Sequence, residues 1–316
     1  MQSAKIIILV SYFKWFIFAQ IYKFILMKIF FWIIFLNTFF SFSQTKYDLI
    51  GTLKLNGDNK TIISYKIVFY ENEGRLKGYS VTDLGGDFET KNEISGFYNK
   101  KTKEMKFKED KIIYTKSELK EDVFCFVNFN GKYNLLNANS KLEGEFKGLF
   151  KNKTKCIDGI IDLVIIAKIE KNINNFKKKV QKSKLFDKET KEKVSAISLL
   201  DSLKVNTLTK DQNLNVFVNS SEIQMEIWDA KIEDGDRIDV FLNNKKIINN
   251  YTVTNKKKTI SVKLEADKNI FRIEALNEGE RKLNTAMMQL IDKERNFELS
   301  TNLKKGEKTS ITLIKN

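Results

Sequence analysis

From Tyr47 to Ile314 most of the chain is written as short runs in which apolar and polar residues alternate, each ended by Gly, Asn or Asp. A period of two sends successive side chains to opposite faces of a strand, so the pattern demands sheets with a buried face. Proline is absent, so the corners fall to residues that tolerate positive φ. With 316 residues the chain exceeds one comfortable core, and two β domains are expected.

The first block, 46–166, reads as strands over Tyr47–Leu55, Thr61–Tyr70, Leu76–Leu84, Glu93–Asn99, Met105–Phe107, Lys111–Lys116, Val123–Phe129, Leu142–Phe150 and Cys156–Ile166. Asn56-Gly57-Asp58 and Glu73-Gly74 are hairpin signals. Gly78, Gly96, Gly144 and Gly148 sit inside strands, where glycine permits sharp curvature. Together these predict an antiparallel β barrel or sandwich. A last block, 213–316, carries eight or nine further short strands in about a hundred residues, as a β-sandwich does.

Between the blocks, 167–205 changes period. Ile169, Ile173, Phe176 and Val180 recur at helical spacing. Asp187 is placed as an N-cap, and Val194, Ile197, Leu200 and Leu203 continue on one side. The expectation is a helical connector of one broken helix or two. Residues 168–193 hold ten lysines against four acids, so this connector is strongly basic.

Residues 1–43 contain four lysines, no acids and long apolar runs. Met27-Lys28, the apolar stretch Ile29 to Phe40 and the small residues Ser41 and Ser43 make a secretory signal with cleavage before Gln44. Two readings stand: Met27 is the start, or Met1 is the start and 1–43 includes a transmembrane helix. Either one exports the chain to the periplasm, the outer surface or the medium. In an oxidising compartment Cys125 and Cys156, the only cysteines, are expected to form a disulfide.

Histidine is also absent. That excludes a Ser-His-Asp triad, a Cys-His pair and an HExxH zinc site within this chain. No GxGxxG or P-loop pattern occurs. Ser117-Glu118-Leu119-Lys120 matches an S-x-x-K spacing, but S-D-N and K-T-G partners are missing. Asp83-Leu84-Gly85-Gly86-Asp87 is an acidic glycine-rich loop, read as a hairpin tip or as one half of a carboxylate pair for glycoside chemistry. Trp228 and most phenylalanines are assigned to the core.

The acidic run Asp229, Glu233, Asp234 and Asp236 is the candidate metal site, for calcium, because calcium is held by several oxygens. Its alternative is a solvated turn with Asp234-Gly235 at the corner. It is not an EF-hand, since Ala230 and Ile232 stand where oxygen ligands are needed. Asn277, Glu278 and Asn284 would join it if their loop converged on it.

Two segments carry a resemblance. Ser41-Phe42-Ser43-Gln44 resembles signal junctions in secreted proteins of Bacteroidota. Trp228-Asp229, Glu233-Asp234-Gly235-Asp236-Arg237-Ile238, Leu242-Asn243, Ala275-Leu276-Asn277-Glu278-Gly279 and Asn284-Thr285-Ala286 resemble a small exported β-sandwich module of such proteins, over the last third of the chain. The resemblance implies fold and export, and no activity.

The function these features predict is a non-catalytic exported binding or interaction protein, with a lipocalin-like cavity in the first domain as one means. A carboxylate-dependent enzyme on cell-surface glycans and a membrane-anchored structural protein are the alternatives. The lysine-rich connector is a candidate for a polyanionic surface or glycan partner. Its lack of arginine argues against sequence-specific nucleic-acid binding.

Overall fold

The computed structural model describes residues 45–57, 61–137, 140–183, 185–196, 206–230, 233–279, 283–293 and 295–315, with Lys23 and Lys28. The signal segment, its cleavage site, Asp58, Ile197, Leu200 and Leu203 lie outside the described residues. Residues 1–44 and 45–316 are separate units, and only the second is described further. Among the described residues no helix is long and apolar enough to cross a membrane.

Eight strands form an antiparallel barrel: β1 Thr45–Leu55, β2 Ile62–Asn72, β3 Arg75–Thr82, β4 Thr90–Asn99, β5 Glu104–Thr115, β6 Phe126–Lys132, β7 Lys141–Leu149 and β8 Gly159–Ile165. They run in the order β5-β4-β3-β2-β1-β8-β7-β6, and β6 pairs back onto β5 to close the ring. Closure removes the unpaired edges that an open sheet leaves. Leu49, Tyr65, Ile67, Phe69, Met105, Phe107, Phe129 and Leu163 fill the interior. This barrel is therefore a packed core rather than a hollow cup. At Gly78 and Gly96 a Cβ would stand 1.9–2.1 Å from a carbonyl oxygen of the neighbouring strand, and at Gly148 2.0 Å from Ile157 O in the β7–β8 connection, so the backbones approach too closely for any side chain.

β5 differs from its expected form. Met105–Phe107 and Lys111–Lys116 are one strand, whose register against β4 shifts on either side of Asn92. Each shift inserts an extra residue on β5 and turns the following side chains over. Met105 and Phe107 thus enter the barrel core, Ile112 joins Phe126 and Phe217, and Ile113 and Tyr114 enter a second core. The residues around Val123 also depart from expectation. Glu121–Val123 is a short 3-10 turn, and β6 starts only at Phe126.

After β8 come α1, Ile166–Lys182, and α2, Lys188–Ala196. Val180 of α1 is buried, but Phe176, expected on the same face, is 54% exposed. Asp187 caps α2 by accepting the Thr190 N–H at 2.9 Å.

The remaining strands are β9 Asn206–Leu208, β10 Asn213–Val218, β11 Glu222–Trp228, β12 Arg237–Leu242, β13 Lys245–Thr252, β14 Lys258–Lys263, β15 Lys268–Ala275, β16 Met287–Asp292, β17 Arg295–Thr301 and β18 Lys308–Lys315. They make two sheets, β13-β12-β15-β18-β10 and β14-β11-β16-β17-β9, with one shared core of Val216, Ile223, Met225, Val240, Phe271, Met288 and Leu313 among others. This is the expected β-sandwich. Its first sheet continues into the barrel, because β10 pairs with β5 at Asn215–Thr115 and Val216–Tyr114. Arg295 of β17 adds an ion pair with Glu93 of β4 at 3.6 Å.

Candidate functional site

One end of the barrel is an apolar mouth of about 260 Å³. Leu53, Leu55, Ile63, Phe126, Phe146 and Ile157 form its walls, and Thr90, Asn92 and Ser117 add polar points. Asn92 is buried and its side chain hydrogen-bonds Glu109, while its Oδ1 has no partner among the described residues. Among the described residues Asp83 is the only charged side chain in this lining.

The rim follows from local chemistry. Asp83, at φ +52°, accepts the Phe88 N–H on Oδ2 at 3.0 Å, and its backbone oxygen accepts the Gly86 N–H. Glu89 accepts the Gly85 N–H at 2.6 Å. The carboxylates of this loop thus satisfy backbone donors that would otherwise be lost in a tight turn. The turn they fix leaves Phe88 68% exposed at the mouth. Opposite it, the Ser117 hydroxyl accepts the Leu119 N–H, and Leu119 is 65% exposed. Ser117 is buried while Lys120 is exposed, so the S-x-x-K spacing brings no nucleophile to a base.

Cys125 and Cys156 form a disulfide across this end, with Cα atoms 6.1 Å apart. It ties the β5–β6 connection to the β7–β8 connection. Gly148 is the neighbour that lets it fit: a Cβ there would stand 2.5 Å from Cys125 Sγ and 2.9 Å from Cys156 Sγ.

No family model, curated protein or solved structure matches this chain.

A second feature lies on the barrel flank, where a shallow cleft of about 530 Å³ crosses β3 to β6. The cross-strand rows Arg75–Phe97–Lys106–Asn130 and Lys77–Ser95–Lys108–Asn128 line it. Phe97 is 66% exposed at its centre. Phe88 is lifted by a turn, and Phe97 stands on an outward strand position.

The acidic run of the sandwich is brought together only in part. Asp236 is fully buried, and its Oδ2 accepts the Thr285 N–H at 2.7 Å. Burial, with Asp234 and Asp229 nearby, pushes its carboxyl up to about 6 against the Thr285 hydrogen bonds. Asp229 is buried as well. Glu233 turns elsewhere and accepts the Asn255 N–H at 2.6 Å. From the β15–β16 connection Asn277 donates to Gly235 O at 2.7 Å, and Asn284 donates to Arg237 O at 3.0 Å. Glu278 instead accepts the Lys305 N–H. Among the described residues no three Asp, Glu, His or Cys side chains are grouped to hold a metal. Trp228 is half-buried, with the Lys257 ammonium 4.4 Å from its ring centre.

Proposed function

We propose that this is an exported, non-catalytic binding protein that takes a small uncharged apolar molecule at the mouth of its barrel. The observation that carries the reading is the apolar pocket with the unpartnered Asn92 Oδ1 in its lining and exposed Phe88 and Leu119 at its rim. Exposed aromatic and aliphatic side chains around a concave apolar surface are what ligand entry requires. The unpartnered Asn92 Oδ1 favours a ligand that carries a hydrogen-bond donor, since a buried acceptor left unpaired costs about 1–3 kcal/mol. The lining holds no lysine or arginine, which disfavours an anionic head group. Export is supported by the signal-like pattern of 27–44 and by the disulfide. A paired-carboxylate enzyme draws no support from this pocket, where Asp83 stands alone.

The test is titration of the chain with N-phenyl-1-naphthylamine, a neutral apolar fluorophore with one N–H donor. Wild type is expected to enhance its emission, and the Phe88→Ala/Leu119→Ala double variant to lose most of that response. Equal enhancement by both proteins, or turnover of any glycan by the purified chain, would sink the proposal.

A polyanionic glycan at the flank is a second reading, favoured by four cations around exposed Phe97. Retention on an immobilised acidic polysaccharide should fall when Lys106 and Lys77 are changed to Glu. Unchanged retention removes it.

A further inference from the structure

We propose that the sandwich binds one calcium ion between Asp234, Asp236 and Asn284, at the corner where the β11–β12 and β15–β16 connections meet.

Three oxygens make the case. Asp234 Oδ1, Asp236 Oδ1 and Asn284 Oδ1 are each shielded from solvent and have no hydrogen-bond partner among the described residues. Asp236 and Asn284 are both fully buried. The orientation of the Asn284 amide is settled by its surroundings. Its Nδ2 faces three acceptors, Arg237 O, Asn277 O and Asn277 Oδ1, at 3.0–3.2 Å, so the oxygen is the free atom. A buried polar atom without a partner is costly, so each of these three oxygens calls for one.

The two carboxylate oxygens also aim at one place. A Cβ on Gly279 would stand 2.6 Å from Asp236 Oδ1 and 2.9 Å from Asp234 Oδ1. Both oxygens therefore lie close against Gly279, and any side chain there would displace them. Gly279 holds φ +54°, a conformation glycine adopts freely. Calcium takes oxygen ligands at about 2.3–2.6 Å, and two carboxylate oxygens converging on one residue are the kind of donors it shares.

No described lysine or arginine forms an ion pair with Asp234 or Asp236 among the described residues. The donors are all oxygen, which excludes the nitrogen and sulfur preference of zinc. Two carboxylates alone are too few for a closed shell, so carboxamide, backbone and water oxygens must complete it. Calcium accepts such irregular mixtures, whereas magnesium demands a near-octahedral set at shorter distances.

The experiment is calorimetric titration and thermal unfolding of the full-length chain in EDTA, then in excess calcium or magnesium. Calcium is expected to bind with a stoichiometry of one and to raise Tm by about 2 °C or more, with magnesium far weaker. Asp236→Asn should abolish both effects. If that variant fails to fold, Asp234→Asn, at a half-buried position, reports the same loss through the titration alone. Absence of calcium heat in wild type overturns the proposal, and so does an undiminished calcium response in Asp234→Asn.

Discussion

Tyr65 of β2 donates its hydroxyl to Glu109 of β5 at 2.9 Å, inside the barrel and out of reach of solvent. Ser80 and the Val127 N–H also donate to the same carboxyl, so strands β2, β3, β5 and β6 are tied at one point. Glu109 lies beside the register shift of β5, where ladder pairing is interrupted. The carboxyl satisfies donors that the interruption leaves over. Glu109→Gln would set an amide N–H₂ among fixed donors and should cost about 1–3 kcal/mol in urea unfolding.

The same group carries a pH dependence. Burial raises the Glu109 carboxyl above its ordinary value of 4.5, against hydrogen bonds that lower it. A carboxyl so raised binds its proton more tightly in the folded chain than in the unfolded one. Its contribution is full below the ordinary value and fades as pH rises through the folded value. The margin of wild type over Glu109→Gln is predicted to narrow as pH rises above the ordinary value of 4.5. A margin independent of pH would show that the group does not titrate differently on folding.

Lys91 of β4 lies with its ammonium 3.8 Å from the Tyr79 ring centre, in a cleft that Arg295 and Phe297 of the sandwich help to line. Desolvation first, then Lys66, pushes its pKa down to about 8 from 10.5. Below about 8 the folded state carries a strained charge, and the unfolded chain holds that proton more readily between the two values. Stability from this group therefore rises with pH through that window. Lys91→Met should be more stable than wild type at pH 7 by roughly 1–3 kcal/mol, the upper end discounted for lost cation–π contact. The gap should close near pH 10.5 in matched denaturant titrations.

The disulfide closes a loop with a sequence separation of 31 residues, worth about 3–4 kcal/mol on the chain-entropy account. Cys125→Ser/Cys156→Ser should lose that much stability. Gly148→Ala should destabilise the oxidised chain strongly, because its Cβ would meet both sulfurs and Ile157 O. In the cysteine-free background only the strand contact remains, so the loss should be smaller. Equal losses in the two backgrounds would mean that Gly148 serves strand approach alone.

Arg295 spans the join between barrel and sandwich. It donates to Asp292 and to Phe217 O at 3.1 Å, and it pairs with Glu93. Arg295→Leu leaves Asp292, which is 1% exposed, without its cation, and should cost about 2–4 kcal/mol. Burial would raise the Asp292 carboxyl, but hydrogen bonds from the Asn219 N–H and from Arg295 hold it below its ordinary value. Its contribution is present above the unfolded value and lost as pH falls through the folded one. Acid unfolding should therefore begin at higher pH in the variant.

Much of the fold could be read along the chain. The strands from Glu222–Trp228 and Arg237–Leu242 lie where alternation places them, and Asp187 caps its helix as its neighbours require. The cysteines pair as an oxidising compartment predicts. Alternation failed at β5, because a bulge breaks the period of two that the reading relies on. Helical spacing failed for Phe176, whose exposure is decided by what packs nearby rather than by its place on the helix. The acidic run was visible, yet its membership was not. Glu233 turns to Asn255, while Asn284 and Gly279 arrive from a connection some forty residues later.

The sequence by itself determined where strands, turns and the basic helices lie, because side-chain period, turn propensity and capping act over a few residues. It took the tertiary structure to decide that β6 returns to β5, that β10 extends the barrel's sheet into the sandwich, and that Asp234 and Asp236 both approach Gly279. Those outcomes depend on strand register and loop closure between distant segments. Many chain paths satisfy the same local pattern, and only packing of the whole selects one of them.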